Sequence, residues 1–167
     1  ELEVACTRAL ERYSGLYPSL NWVLKLTLTR GSGGRGYRPE PRMKPSLILS
    51  HSAFPSVPGP EGVVADFSRV PLTVNPLLAG IKSLNRLEQV MAARELQGDI
   101  FEVLMSNRDG HVVEGTRTNL FVLSDNRWLT PPASTLAVAG VMRRYVLDRL
   151  RNSGHEFEEM PLTLDHL

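Results

Sequence analysis

The sequence predicts an α+β fold, and two kinds of pattern carry this prediction. Trp22 to Thr29 alternates apolar and polar residues, as a half-buried strand does. Ile100 to Ser106 and His111 to Glu114 predict two further strands, joined by a turn with the D-G signal at Asn107–Gly110. Gly140 to about Arg151 is instead amphipathic at helical spacing and predicts a helix that ends near Gly154.

The remaining elements are predicted by the same criteria. An amphipathic helix is expected from Glu1 to about Ser14, where Gly15 and Pro18 stop it. The other predicted strands are Pro45–Ser52, Val63–Val70, Leu120–Leu123 with Trp128–Leu129 (a hairpin turned at 124–126), and His155–Met160.

Composition excludes several classes of protein. A formal net charge of +1 over 167 residues gives no indication of nucleic acid or an anionic membrane as a partner. No apolar run approaches the length of a membrane helix, and no basic-then-apolar leader is present. Cys6 is the single cysteine and cannot form an internal disulfide, so a cytoplasmic setting is expected.

The sequence begins within one helical pattern and ends just after the start of another, so we expect it to be a fragment of a longer protein.

The segment Phe54 to Gly62 is the best candidate for a linker, because it contains three prolines and two glycines. We therefore expect a domain boundary near Pro58 to Pro60, with one domain over 1–57 and a second over 58–167.

The stretch from Gly80 to Val90 places Lys82 on a short apolar turn before a predicted helix. Asn85 and Glu88 have the spacing of a capping box, and the helix should run to about Leu96. Apolar residues recur at helical spacing and predict its buried face: Leu84, Leu87, Val90 and Met91. A lysine in a partly apolar site can act as a nucleophile or base, or form a Schiff base with a carbonyl cofactor. The alternative is a solvated lysine near a helix end.

A glycine-rich loop follows the first strand, with the sequence RGSGGRGYRP from Arg30 to Pro39. It can bring backbone N–H groups close to a ligand, and its arginines can offer forked donors to a carboxylate or phosphate. A flexible connection with solvated arginines is an equal alternative. A nucleotide-binding loop is a poorer interpretation, because no Lys-Ser/Thr and no helix pattern follow the last glycine.

Three pieces taken together identify a family. They are Lys82, the segment EGTRTNLF from Glu114 to Phe121, and the segment VAGVMR from Val138 to Arg143. In this order and spacing they resemble the class IV aminotransferase family of pyridoxal-phosphate enzymes. That family contains branched-chain aminotransferase, D-amino acid aminotransferase and 4-amino-4-deoxychorismate lyase. The variants RGSGGRGY and AGIKSLNRLEQV look most like the bacterial lyase.

The resemblance implies a role for each matching residue. Lys82 matches the catalytic lysine that bonds pyridoxal 5′-phosphate and then shuttles protons, and Glu114 matches the carboxylate that pairs with the pyridine nitrogen. The remaining cofactor-binding residues implied are Asn119 (orienting the site), Val138 (beneath the ring), and Gly140, Val141 and Met142 (at the phosphate). Arg30, Arg35 and Tyr37 are the implied substrate-binding residues, and no metal site is expected.

The function implied is a lyase that converts 4-amino-4-deoxychorismate to 4-aminobenzoate and pyruvate in folate biosynthesis. One alternative is an aminotransferase of the same fold that acts on D- or branched-chain amino acids. A more remote alternative is a non-enzymatic module that binds an anion or nucleotide through the glycine-rich loop.

The resemblance also implies an architecture and an assembly. Residues 1–57 would be the C-terminal part of a small two-layer α/β domain. Residues 58–167 would be most of a larger domain with a barrel-like antiparallel sheet and helices, like that of D-amino acid aminotransferase. The expected assembly is a homodimer. Family segments before Glu1 and after Leu167, which supply further phosphate contacts, lie outside this sequence.

Overall fold

The structure, a computed structural model, describes residues 2–19 and 21–167 and confirms the predicted α+β class. The chain divides into two compact units, Glu1–Val57 and Pro58–Leu167.

The first unit contains one helix and one antiparallel pair of strands. Helix α1 spans Leu2–Tyr13, strand β1 spans Trp22–Thr29 and strand β2 spans Ser46–Ala53. The pairing is regular over eight residues of each strand. These bounds agree with the predicted elements, although Glu1, where the helix was expected to start, lies outside the described residues.

The second unit contains two α-helices and six strands in its described sequence. They are β3 (Val64–Phe67), α2 (Leu87–Ala93), β4 (Ile100–Ser106), β5 (Val112–Gly115), β6 (Val122–Ser124), β7 (Arg127–Thr130), α3 (Val141–Asn152) and β8 (Phe157–Glu159). The strands form two sheets of three, in the orders β3-β4-β5 and β6-β7-β8. Isolated bridges pair Val112 with Leu162 and Glu114 with Asn119.

The expected antiparallel pairing is only partly present in the second unit. Strands β4 and β5 pair antiparallel, as do β6 and β7, but β3 pairs with β4 in parallel and β7 pairs with β8 in parallel. Each parallel pair is separated by a segment that contains a helix, α2 in one case and α3 in the other. A helical crossover returns the chain to the same end of the sheet, so the next strand runs in the same direction.

The two hairpin turns were predicted correctly, and their side chains show why. The Asn107 Oδ1 atom accepts hydrogen bonds from the backbone N–H groups of Asp109 and His111, at 3.0 Å each. In the second turn, Asp125 and Asn126 have φ values of 47° and 64°. This left-handed pair is typical of a two-residue hairpin, and Asp and Asn tolerate it better than most residues.

The core of the second unit lies where its first sheet meets a helix and two connecting segments. The buried cluster contains Leu72, Ala92, Val103, Met105, Val113, Leu136 and Ala137. It joins β4 and β5 to α2 and to the segment before α3. Because this last segment also borders the cavity described below, the core and the cavity share a wall.

Helix α2 buries a different face from the one predicted. The helix begins at Leu87, and Glu88 does not form the expected capping box with Asn85. Instead, the Glu88 carboxylate accepts a hydrogen bond from the backbone N–H of Thr73 at 2.9 Å. Gln89 and Ala92 are buried, whereas the four residues predicted as the buried face are exposed: Leu84, Leu87, Val90 and Met91. The long-range bond to Thr73 helps to hold the helix in this orientation, which the local apolar pattern does not indicate.

Helix α3 matches its predicted bounds, and its buried face includes a charged residue as well as leucines. Its buried residues are Arg143, Leu147 and Leu150, while Val141, Met142 and Tyr145 are exposed. The guanidinium of Arg143 donates hydrogen bonds to the Pro131 carbonyl oxygen at 2.8 Å and to the Glu159 carboxylate at 2.6 Å. These partners offset the cost of burying a charge and attach α3 to the ends of β7 and β8.

The longest described helices, α1 and α3, have 12 residues each. Among the described residues, none forms a helix of the length and apolar character needed to cross a membrane.

The core predicts a clear contrast between two leucines of the β3–α2 connection. Leu72 is 2% exposed within the core, whereas Leu77 is 88% exposed. We expect Leu72→Ala to lower the free energy of unfolding of this chain by about 2–5 kcal/mol, because it removes buried methyl groups and leaves a cavity. Leu77→Ala should change it by less than about 0.5 kcal/mol. Urea unfolding measures both, and equal losses would contradict the described core.

Candidate active site

A cavity of about 850 Å³ lies entirely within the second unit. Its wall is formed by the loop before α2, the end of β5 with the turn that follows, and the segment leading into α3. The lining residues include Gly80, Lys82, Arg86, Gln89, Glu114–Asn119, Phe121 and Val138–Arg143. A volume of this size suits a small-molecule ligand or cofactor.

Lys82 lies on a loop that is attached to the opposite wall through Gly80. The Gly80 N–H donates to the Leu136 carbonyl oxygen at 2.8 Å, and the Ala139 N–H donates to the Gly80 carbonyl oxygen at 3.0 Å. Gly80 has a φ of 77°, and a Cβ atom there would lie 3.0 Å from the Ala139 Cβ atom. A side chain at this position would therefore strain the backbone and push the loop from its support.

The surroundings of Lys82 differ from the partly apolar site that was expected. Lys82 is exposed, and its apolar neighbours Ile81 and Leu84 are 56% and 104% exposed. The apolar side chains next to it in sequence therefore do not enclose its amine. The backbone bonds of Gly80 instead attach the loop that carries it.

Glu114 is the buried carboxyl group of the cavity, at 3% exposure on β5. Burial raises its pKa from 4.5 to about 7, because desolvation disfavours the charged form. The backbone N–H of Val138, which donates to Glu114 Oε2 at 3.2 Å, opposes this shift, as do the positive charges of Arg86 and Lys82. This carboxyl group is therefore poised to ionise near neutrality and would gain from a further cationic partner in the cavity.

A second buried carboxylate, Glu102, holds the turn that follows Glu114. It accepts hydrogen bonds from the hydroxyl groups of Thr116 and Thr118, at 2.6 and 3.0 Å, and from the Thr116 backbone N–H at 3.2 Å. At Gly115 a Cβ atom would overlap the Thr118 hydroxyl and lie 2.8 Å from the Glu102 side chain. Only glycine fits there, so the turn closes tightly against Glu102.

Asn119 connects this turn to the start of α3. Its side-chain N–H donates to the Val138 carbonyl oxygen at 2.9 Å. Its Oδ1 atom occupies the space that a Cβ atom at Gly140 would need. Val138 is therefore bound from both sides, with its N–H on Glu114 and its carbonyl on Asn119.

The first residues of α3 form another part of the cavity wall. Gly140 is the N-cap, and Val141 and Met142 are the first helical residues. Backbone N–H groups in the first turn of a helix lack intrahelical partners, and the helix dipole favours negative charge there. This corner of the cavity suits an anionic group.

All seven residues predicted for catalysis and cofactor binding line the same cavity: Lys82, Glu114, Asn119, Val138, Gly140, Val141 and Met142. The three predicted substrate-binding residues, Arg30, Arg35 and Tyr37, belong to the first unit. They lie on the loop between β1 and β2, where Arg30 and Arg35 are exposed and Tyr37 is 106% exposed.

Two cavity-related residues were not found by sequence analysis. Glu102 is the one charged residue in the strand pattern IFEVLMS, and this isolated charge was a usable signal of a buried partner. Arg86, which lines the cavity beside Lys82, has no such signal, because an arginine before a helix is ordinarily solvated. Its backbone partners come from both sides of the cavity and are visible only in the folded chain.

The fold and this cavity are those of an aminotransferase-like protein. A sequence model of the amino-transferase class IV family matches residues 2–167, and the chain belongs to this family. Family members use pyridoxal 5′-phosphate as their cofactor.

Individual relatives agree with this assignment. An aminodeoxychorismate lyase of Vibrio harveyi is 38% identical over 148 residues, covering 86% of this chain and 55% of the relative. A crystal structure of 4-amino-4-deoxychorismate lyase from Pseudomonas aeruginosa has a TM-score of 0.83 and 36% identity, with coverage of 97% of this chain and 61% of that one. A D-alanine aminotransferase of Bacillus licheniformis is 39% identical over 92 residues, 54% of this chain and 32% of the relative. The chain thus spans little more than half the length of the two lyases.

The burial of Glu114 predicts a pH dependence of stability in the cofactor-free chain. The pKa of Glu114 is higher in the folded state than in the unfolded state. Its contribution to the free energy of unfolding is therefore fully present below pH 4.5 and is lost as the pH rises to about 7. We expect Glu114→Gln to raise the free energy of unfolding at pH 8 by on the order of 1–3 kcal/mol, with a smaller gain at pH 5. Urea unfolding across this range measures the difference.

The matched control for this measurement is Glu61→Gln, at an exposed glutamate. A plot of its free energy of unfolding against pH should run parallel to that of the unmodified chain. If the Glu114→Gln curve is also parallel, the burial of Glu114 does not raise its pKa as described.

Proposed function

We propose that the protein containing this chain is a pyridoxal-phosphate-dependent lyase, which converts 4-amino-4-deoxychorismate to 4-aminobenzoate and pyruvate. The observation that carries the proposal is the convergence of Lys82, Glu114 and the start of α3 on one cavity. The substrate is taken from the Vibrio harveyi relative, whose name specifies this lyase and which matches 86% of the chain.

The residues of the cavity fit the cofactor in chemical type. Lys82 offers an amine for the carbonyl group, and the first turn of α3 offers N–H groups for the phosphate. Glu114 offers a buried carboxylate for the pyridine nitrogen. Its raised pKa supports this pairing, because a cationic ring N–H would stabilise the ionised form that burial disfavours.

Each side chain then has a definite task. When bound, pyridoxal phosphate supplies a carbonyl that bonds amines and a ring that withdraws electrons. Lys82 would bond this carbonyl, and once the substrate amine replaces it, its Nζ atom would take the proton from the amine-bearing carbon. Glu114 would hold the proton on the ring nitrogen. The bond between the substrate ring and the enolpyruvyl ether oxygen would then break. The proton held by Lys82 would pass to the released enolpyruvate, which becomes pyruvate as the substrate ring becomes aromatic.

Val138 and Asn119 would orient the site and take no part in proton transfer. Val138 donates to Glu114 and accepts from Asn119, so these three residues form one connected unit. Movement of the Asn119 side chain would disturb Val138 and, through it, the Glu114 carboxylate.

Arg30, Arg35 and Tyr37 are proposed to bind the carboxylates of the substrate. Their exposure on a loop containing several glycines supports this role, because their donor groups are accessible. Guanidinium groups also bind carboxylates with two parallel hydrogen bonds.

The same proposal includes the organisation of the protein. Residues 1–57 would be the end of a small domain and residues 58–167 most of a larger cofactor-binding domain, which the division of the chain at Val57 supports. The family resemblance supports a homodimer, and the single cysteine supports a cytoplasmic setting. No nucleic acid or membrane partner is proposed.

An aminotransferase acting on D- or branched-chain amino acids is the second candidate. The similarity to the D-alanine aminotransferase of Bacillus licheniformis favours it. Lys82 and Glu114 would serve both reactions, so the difference lies in the substrate that each protein accepts.

The role of Lys82 predicts selective labelling by the cofactor. The chain has three lysines, Lys25, Lys44 and Lys82, and only Lys82 lines the cavity. After incubation of the whole protein with pyridoxal phosphate and reduction by borohydride, peptide mass analysis should find the pyridoxyl group on Lys82. Lys82→Ala should abolish this labelling and Lys44→Ala should preserve it. Label spread evenly over all three lysines would contradict the role.

The lyase proposal predicts a specific product. The whole protein, supplied with 4-amino-4-deoxychorismate, should release 4-aminobenzoate and pyruvate in equal amounts, as measured by chromatography. Lys82→Ala should lose this activity, because no amine remains at this position to move the proton. If the substrate is unchanged while amino groups pass rapidly from D-alanine or leucine to a 2-oxo acid, the aminotransferase is the correct assignment.

A further inference from the structure

Arg86 joins the two walls of the cavity. Its Nε atom donates to the Ser83 carbonyl oxygen at 3.2 Å, and its Nη2 atom donates to the Ile81 carbonyl oxygen at 3.1 Å. The same Nη2 atom donates to the Ala137 carbonyl oxygen at 3.2 Å. One side chain therefore contacts both the loop before α2 and the segment before α3.

Two of the three carbonyl groups belong to the sequence neighbours of Lys82, and the third lies next to the backbone donor of Glu114. Ile81 and Ser83 are the immediate neighbours of Lys82 on either side. Ala137 immediately precedes Val138, whose N–H donates to Glu114. Arg86 thus links the backbone around Lys82 to the backbone that holds the Glu114 carboxylate.

The charge of Arg86 acts on the same site. Arg86 lines the cavity together with Glu114 and Lys82, and its positive charge favours the ionised form of Glu114. The other groups acting on Glu114 are the backbone N–H groups of Val138 and Ala137 and the charge of Lys82. Arg86 and Lys82 are therefore the two cations that act on Glu114 in the cofactor-free site.

We propose that Arg86 is a positioning residue, which sets the distance of Lys82 from Glu114 and presents a fixed positive charge to the Glu114 carboxyl group. This role rests on the proposed function. A guanidinium is suited to it, because its planar fork reaches several carbonyl groups at once and remains charged at all relevant pH values. Lysine would keep the charge but not the fork.

Two variants separate the effect of the Arg86 hydrogen bonds from the effect of its charge. Arg86→Lys retains the charge and loses the three-way bridge, whereas Arg86→Met loses both. The matched control is Arg94→Met, because Arg94 directly follows α2, is exposed, and lies outside the cavity lining. Thermal unfolding of each variant, prepared in the whole protein, identifies those that fold.

The first measurement is the rate at which pyridoxal phosphate labels Lys82 after borohydride reduction. We expect both Arg86 variants to be at least about tenfold slower than the unmodified protein, because a misplaced reacting group loses rate steeply. Arg94→Met should label at the unmodified rate. If Arg86→Lys folds and labels Lys82 at the unmodified rate, the positioning role is wrong, and this variant decides the question even if Arg86→Met does not fold.

The second measurement needs no cofactor. The fall in stability that ends near pH 7 in the unmodified chain, and is absent in Glu114→Gln, should extend to higher pH in Arg86→Met and stay unchanged in Arg86→Lys. An unchanged pH range in a folded Arg86→Met variant would overturn the charge role. If the unmodified protein is not labelled at Lys82 at all, the proposed function fails first, and that result is distinct from either outcome for Arg86.

Discussion

The hydrogen bond from the Val138 N–H to the Glu114 carboxylate is the interaction on which the cavity depends. It joins β5, which carries Glu114, to the segment that leads into α3. A buried carboxylate with few partners is costly, so the segment that supplies its donor must be held firmly. The surrounding contacts meet this need, since Asn119 binds the carbonyl of Val138 and Gly80 binds the backbone on either side of it.

The neighbouring glutamate, Glu102, is also a buried carboxylate, but it differs from Glu114 in its hydrogen-bond partners. Glu102 is as buried as Glu114, but hydroxyl and backbone N–H groups of Thr116, Arg117 and Thr118 surround it. These donors replace the hydrogen bonds lost to water, and they close the turn that follows Glu114. One carboxylate is thus satisfied and structural, whereas the other faces a cavity and is available to a ligand.

Local patterns predicted the positions of the elements well and their buried faces poorly. Alternation placed β1 at its observed bounds, and the D-G and D-N pairs placed both hairpin turns. The apolar spacing around α2 predicted the wrong face, and Glu88 of that helix bonds to Thr73. On α3 the burial of Arg143 was not predicted, because it depends on bonds to Pro131 and Glu159. These partners lie 12 to 16 residues away, beyond the range of any helical periodicity.

The linear order of the segments around Lys82, Glu114 and Gly140 was enough to identify the family and seven residues of the cavity wall. How these segments are held depends on contacts that form only in the folded chain. The bridge made by Arg86, the donors around Glu102 and the parallel pairing of β7 with β8 all join distant parts of the chain. Such contacts depend on which surfaces pack together in the folded chain, and the local spacing of residues does not predict that packing.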